Sequence, residues 1–98
     1  MLDARDHRIR KGYPVKYMVI ETFKEGMKTR VYERFRRDGR LLPDGLQYIQ
    51  SWLEQDGNRC FQLMETVDPG TFQVWTARWT DLVDFEIVPL EEKSTAQQ

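Results

Sequence analysis

The sequence predicts an α+β fold in the order strand, helix, strand, strand, helix, strand. Three observations carry this. Four short segments are rich in Val, Ile, Tyr, Phe and Trp, the residues that fit a pleated, half-buried surface. Two further segments carry apolar residues at spacings of three and four, the mark of one helix face. Turn signals separate them, among them Pro43-Asp44-Gly45 and Gln55-Asp56-Gly57-Asn58.

The first strand is KYMVIETF, 16–23, and Glu25-Gly26 breaks it. In MKTRVYERFRRDG, Met27, Val31 and Phe35 are spaced by four and form a stripe. Gly39 falls where a helix ends in the left-handed conformation, and Arg36 and Arg37 suit the negative end of the helix dipole. LQYIQSWLE, 46–54, reads as the second strand and RCFQLMET, 59–66, as the third. The tight turn between them makes an antiparallel hairpin. Asp68-Pro69 opens the second helix as N-cap and first helical residue. Phe72, Trp75, Trp79 and Leu82 form its apolar stripe, which reads as core packing. VDFEIVPL, 83–90, is the last strand, and Pro89, which lacks an amide donor, is expected to set it at an edge or to end it. This order gives the ferredoxin-like βαββαβ arrangement: one four-stranded antiparallel sheet with both helices on a single face.

The chain has 98 residues, enough for one small domain. The expected organisation is a flexible arm at 1–14, a folded domain at 15–90 and a polar tail at 91–98. Basic and acidic side chains number 15 and 16, so no net field draws the chain to nucleic acid or a membrane. No apolar run approaches the roughly 18 residues that span a bilayer. The charged start has no apolar stretch of the kind a secretory signal needs. One cysteine makes no intrachain disulfide, which fits a reducing cytoplasm.

Sorting strand residues by parity separates two faces. One collects Met18, Ile20, Ile49, Leu53, Phe61, Leu63, Val83, Phe85 and Ile87. It is nearly all aliphatic or Phe, and the expectation is that the helices cover it. The other collects Tyr17, Val19, Glu21, Tyr48, Gln50, Trp52, Cys60, Gln62, Met64, Asp84, Glu86 and Val88. It is too apolar for water and too polar for a closed core. A second copy of the chain covering it, with a lined cavity between the two sheets, satisfies both constraints.

The blocks KYMVIETFK, VYERF, GRLLPDGLQYIQSW, RCFQLMET and DLVDFEIVPL resemble, in order, those of the bacterial domain-of-unknown-function family 3303 from about Lys16 to Leu90. That resemblance implies a place among the dimeric α+β barrels, in which two ferredoxin-like sheets face each other. The wider group holds cofactor-free oxygenases, isomerases, haem-degrading enzymes and proteins without known activity. It therefore implies a fold and a homodimer and leaves the reaction open.

The residues narrow the chemistry. The one histidine, His7, lies in the arm, so a haem ligand, a His or Cys metal cluster and a His-dependent triad are not expected in the body. No cofactor is called for. Cys60 reads as a small hydrophobe in a wall rather than a reactive thiol. Lys24 to Arg40 carries seven basic and three acidic residues, which could meet a phosphate or an acidic partner but reads as an ordinarily charged helix surface, since nucleic-acid binding needs more than this. Glu21 is the candidate general base, since a carboxylate in an apolar cavity has its pKa raised. Its strand is central in this fold. Tyr17, Tyr48, Gln50, Trp52, Gln62, Met64 and Glu86 are the candidate ligand-binding residues, apolar walls with a few polar anchors. Three functions compete: a small organic ligand held between the sheets, a cofactor-free oxygenase or isomerase using Glu21, and a structural dimer without ligand.

Overall fold

The computed structural model describes residues 12–55 and 57–93. The body of the 1–14 arm, with His7, and residues 94–98 of the tail lie outside them. Four strands form one antiparallel sheet: β1 (Val15–Phe23), β2 (Leu46–Leu53), β3 (Arg59–Thr66) and β4 (Val83–Pro89). Their order is β2-β3-β1-β4, with helices α1 (Lys28–Asp38) and α2 (Thr71–Thr76) between β1 and β2 and between β3 and β4. This is the ferredoxin-like arrangement expected. β4 lies at a sheet edge and ends at Pro89.

Local chemistry explains the elements. Gly39 ends α1 with φ +72°, and its N–H donates to the Phe35 carbonyl at 2.8 Å. Gly45 takes φ +91° beside the Pro43-Asp44 turn, and the Leu46 N–H closes back on the Pro43 carbonyl at 3.3 Å. In the β2–β3 hairpin the Glu54 N–H donates to the Arg59 carbonyl, while the Arg59 guanidinium forks onto the Glu54 carboxylate. α2 begins later than the sequence suggests. Asp68 caps a turn rather than the helix, its Oδ1 accepting the Gly70 N–H at 2.9 Å, and the helical N-cap is Gly70. α2 is short, but its stripe continues. Three-residue turns through Arg78, Trp79 and Leu82 keep Phe72, Trp75, Trp79 and Leu82 on one line, all four buried.

The helices cover the face opposite to the one expected for β1 and β3. Tyr17, Val19, Glu21 and Phe23 of β1 are buried, as are Gln62, Met64 and Thr66 of β3. They pack with Val31, Phe72, Trp75 and Trp79. Met18, Ile20, Phe61 and Leu63 lie on the open face. β4 keeps the expected parity: Val83, Phe85 and Ile87 join the core cluster. Register explains the mismatch. Phe23 pairs with Val83, Glu21 with Phe85 and Val19 with Ile87, so the mixed set of β1 shares rows with the apolar set of β4. In β2 the pairing slips between Tyr48 and Gln50, a bulge at Ile49 that reverses which residues face the helices. Tyr48 then shares a row with Met64 and Ser51 with Gln62 on the helix side, while Gln50 and Trp52 pair with Leu63 and Phe61 on the open side. The mixed set therefore does not form one face: Tyr17, Val19, Glu21, Gln62 and Met64 lie beneath this chain's own helices, while Gln50, Trp52, Glu86 and Val88 lie in rows of the open side.

Adjacent residues of β1 separate the two arrangements. Val19 is 0% exposed, so Val19→Asp buries an unpaired carboxylate and should cost roughly 4 kcal/mol or more, enough to unfold a small domain. Ile20→Asp should leave a folded chain by circular dichroism and urea titration. The opposite pattern would mean that the sheet is covered from the other side.

Candidate functional site

Between α1, the segment after α2 and the β2–β3–β1 part of the sheet lies a cavity of about 340 Å³. Phe23, Val31, Phe35, Trp75 and Trp79 supply apolar and aromatic walls, and Glu21, Arg40, Ser51 and Gln62 supply polar groups. Such a lining, mostly apolar with a few convergent polar atoms, is the ordinary composition of a small-molecule site. The volume falls at the small end of the ~300–1,000 Å³ common for such sites.

Each polar group is held by its neighbours. Glu21 and Cys60 share a sheet row, and Gln62 stands one row along with Val19. The Gln62 amide nitrogen donates to Glu21 Oε2 at 2.5 Å, and its amide oxygen accepts from Arg40 Nε at 3.1 Å. Those partners fix the amide's orientation, since a carboxylate accepts and a guanidinium only donates. Arg40 follows α1. Its Cζ lies 3.5 Å from the Tyr48 ring centroid and 5.1 Å from that of Phe35. Both distances are within the range of cation–π attraction. Its main-chain carbonyl accepts from both indole N–H groups, Trp75 Nε1 and Trp79 Nε1, each at 2.9 Å. The residue after it, Leu41, takes φ +62°, a left-handed turn for a residue with a side chain.

Burial decides the chemistry of Glu21. Loss of solvent pushes its carboxyl up to about 7, against the smaller opposing pull of the Arg40 charge and the Gln62 hydrogen bond. Near neutral pH it therefore exists as acid and as base in comparable amounts, the condition for general acid–base work. Burial, then the neighbouring Glu21 charge, pushes the Cys60 thiol up to about 11, which keeps it an unreactive wall residue.

The candidate residues divide between two faces. Glu21 and Gln62 line the cavity, and Tyr48 reaches it through the stacked Arg40. Tyr17 and Met64 are on the same side but in the packed core, Tyr17 edge-on to Phe72 at 4.8 Å. Gln50, Trp52 and Glu86 belong to rows of the open face, with Trp52 also touching the cavity. Arg40 is not distinguished by the sequence pattern from the six other basic residues of its stretch. The signal for it is indirect: Glu21 and Gln62 in one buried face need a cationic partner, and Arg40 opens the loop that crosses that face.

The family model DUF3303, described as a domain of unknown function, matches residues 15–98. The chain belongs to that family. No curated protein and no solved structure matches the chain. Every cavity residue from Glu21 to Trp79 falls inside the DUF3303 match.

The raised carboxyl makes stability depend on pH. Below pH 4.5 Glu21 is protonated in both the folded and the unfolded chain. As pH rises the unfolded chain releases this proton near 4.5 and the folded chain holds it until about 7. The folded state binds more protons in that window, so stability falls with rising pH, by roughly 3 kcal/mol in total. Urea titrations at a series of pH values should show this fall in the wild type and lose it in Glu21→Gln. Equal pH profiles for the two proteins would mean that Glu21 ionises as an exposed carboxylate.

Proposed function

We propose that this protein binds a small organic ligand in the cavity beneath its helices. The observation that carries the reading is the Glu21–Gln62–Arg40 chain set into an otherwise aromatic cavity. A purely structural core has little use for a buried carboxylate, whose desolvation costs several kcal/mol before its partners offset it. Trp75, Trp79 and Phe35 offer flat apolar surface, while Gln62, Arg40 and Glu21 offer polar groups to orient one end of a ligand. The site lies within one chain, under the helices, rather than between two sheets.

The titration of Glu21 near neutral pH favours a second reading, a cofactor-free enzyme of the isomerase or oxygenase kind. In that reading the Glu21 carboxylate takes a proton from an activated carbon, the electron pair of the C–H bond moves into the adjacent carbonyl, and Arg40 and Gln62 face the developing oxyanion. Tyr17 has no part in it, being packed against Phe72. Glu21→Gln should abolish deuterium exchange into an enolisable substrate once one is identified, and undiminished exchange would remove Glu21 from the reaction.

A homodimer of the α+β barrel type remains part of the proposal, moved to the open face. Met18, Ile20, Phe61, Leu63 and Val88 share that face in adjacent rows, an apolar set of the kind that marks an interface. Native mass spectrometry of the purified protein tests both parts. The expected result is twice the chain mass, reduced to one by Ile20→Asp, with an additional small mass bound per chain. A monomer at micromolar concentration would reject the dimer. A mass equal to the bare chain, together with no thermal shift from any member of a library of small aromatic acids, amides and ketones, would reject the ligand.

A further inference from the structure

Among the described residues Arg40 is the one cationic side chain lining the cavity, and Glu21 is the one carboxylate there. Its Nε is engaged by Gln62, and its two terminal nitrogens have no hydrogen-bond acceptor among the described residues. They form the end of a planar fork that matches a carboxylate. The fork is held in place from several sides. Tyr48 and Phe35 lie against the guanidinium, and the main-chain carbonyl of Arg40 is clamped by the indoles of Trp75 and Trp79. A side chain positioned this firmly gives up little freedom on meeting a ligand.

From this geometry we propose that the cavity selects a monoanionic ligand, a carboxylate on a flat apolar body, and that the ligand enters with uptake of a proton onto Glu21. The inference rests on the ligand-binding reading and specifies its chemistry. One guanidinium cannot balance two carboxylates at the end of the cavity where Glu21 and Gln62 are buried, so one of the two takes a proton. The ligand's carboxylate gains the terminal N–H groups of Arg40. Glu21 keeps its Gln62 contact and becomes the neutral acid, and its raised pKa makes it the easier of the two to protonate. The aromatic body lies along Trp75, Trp79 and Phe35, and the limited volume admits one or two fused rings rather than a nucleotide or a lipid chain.

The test uses matched pairs: benzoate, phenylacetate and indole-3-acetate, each beside its neutral amide. Binding is followed by calorimetry at pH 7.5 in two buffers of different ionisation enthalpy. At least one acid should bind the wild type about tenfold or more tighter than its amide. Its apparent heat should differ between buffers by the amount expected for uptake of a fraction of a proton. Arg40→Gln keeps the main-chain carbonyl that clamps the two indoles and should bring acid and amide to similar affinity. Glu21→Gln should bind the acid without proton uptake. An amide that binds as tightly as its acid would overturn the anion selectivity and leave the ligand-binding reading standing. Acid binding with no buffer dependence would overturn the proton coupling. Failure of all six compounds to bind folded wild-type protein would overturn the inference, while the ligand-binding reading stands or falls by the native mass and the wider library.

Discussion

The structure turns on Arg40. Its carbonyl oxygen takes the indole N–H groups of Trp75 and Trp79, and its guanidinium reaches Gln62 and lies between Tyr48 and Phe35. One residue in the α1–β2 connection thus touches both helical segments, β2 and β3. The two indoles would otherwise each bury an unpaired donor, at a cost of about 1–3 kcal/mol apiece. One carbonyl satisfies both, immediately before the left-handed turn at Leu41. Both indoles line the cavity, and Trp75 also packs against Phe85 of the sheet, with ring centroids 5.4 Å apart.

Glu21 sits at the far end of the same tie. Burial raises its carboxyl pKa, the Arg40 charge and the Gln62 hydrogen bond each lower it, and the balance leaves it near 7. A carboxylate in direct bidentate contact with arginine has its pKa lowered, as Arg34 lowers that of Asp81 on the surface. The intervening amide weakens that pull. Its effect is a group able to exist in either protonation state inside an apolar site, a property of little structural value and of direct use in binding or proton transfer.

The element order was legible in the sequence because each signal was local. The spacing of Met27, Val31 and Phe35, the Gly39 stop, the hairpin turn and the line from Phe72 to Leu82 each depend on a few neighbouring residues. The choice of covered face was not local. Both faces of β1 and β3 are rich in apolar residues, and a comparison of apolar content favours Met18, Ile20, Phe61 and Leu63. The helices instead cover Tyr17, Val19, Glu21 and Met64, with the polar members satisfied by one another. The strand pairing that sets Phe23 beside Val83 decided it, and no short stretch of sequence encodes that register. In β2 the bulge at Ile49 adds a reversal invisible to a strict alternation. Glu21 and Gln62 were legible as site residues because polar groups amid strand hydrophobes need a reason. Arg40 was not, since its role depends on where its loop crosses the sheet.

The most direct test of this account is the ionisation of Glu21 itself, followed by carbon-detected NMR of the side-chain carboxyl in the ligand-free protein. A buried carboxyl tied to Arg40 through Gln62 should titrate with a midpoint near 7, and Arg40→Gln should move that midpoint higher by removing the guanidinium charge that lowers it. A midpoint at the ordinary value near 4.5, unmoved by Arg40→Gln, would contradict the account, because it would put Glu21 in water and away from the guanidinium.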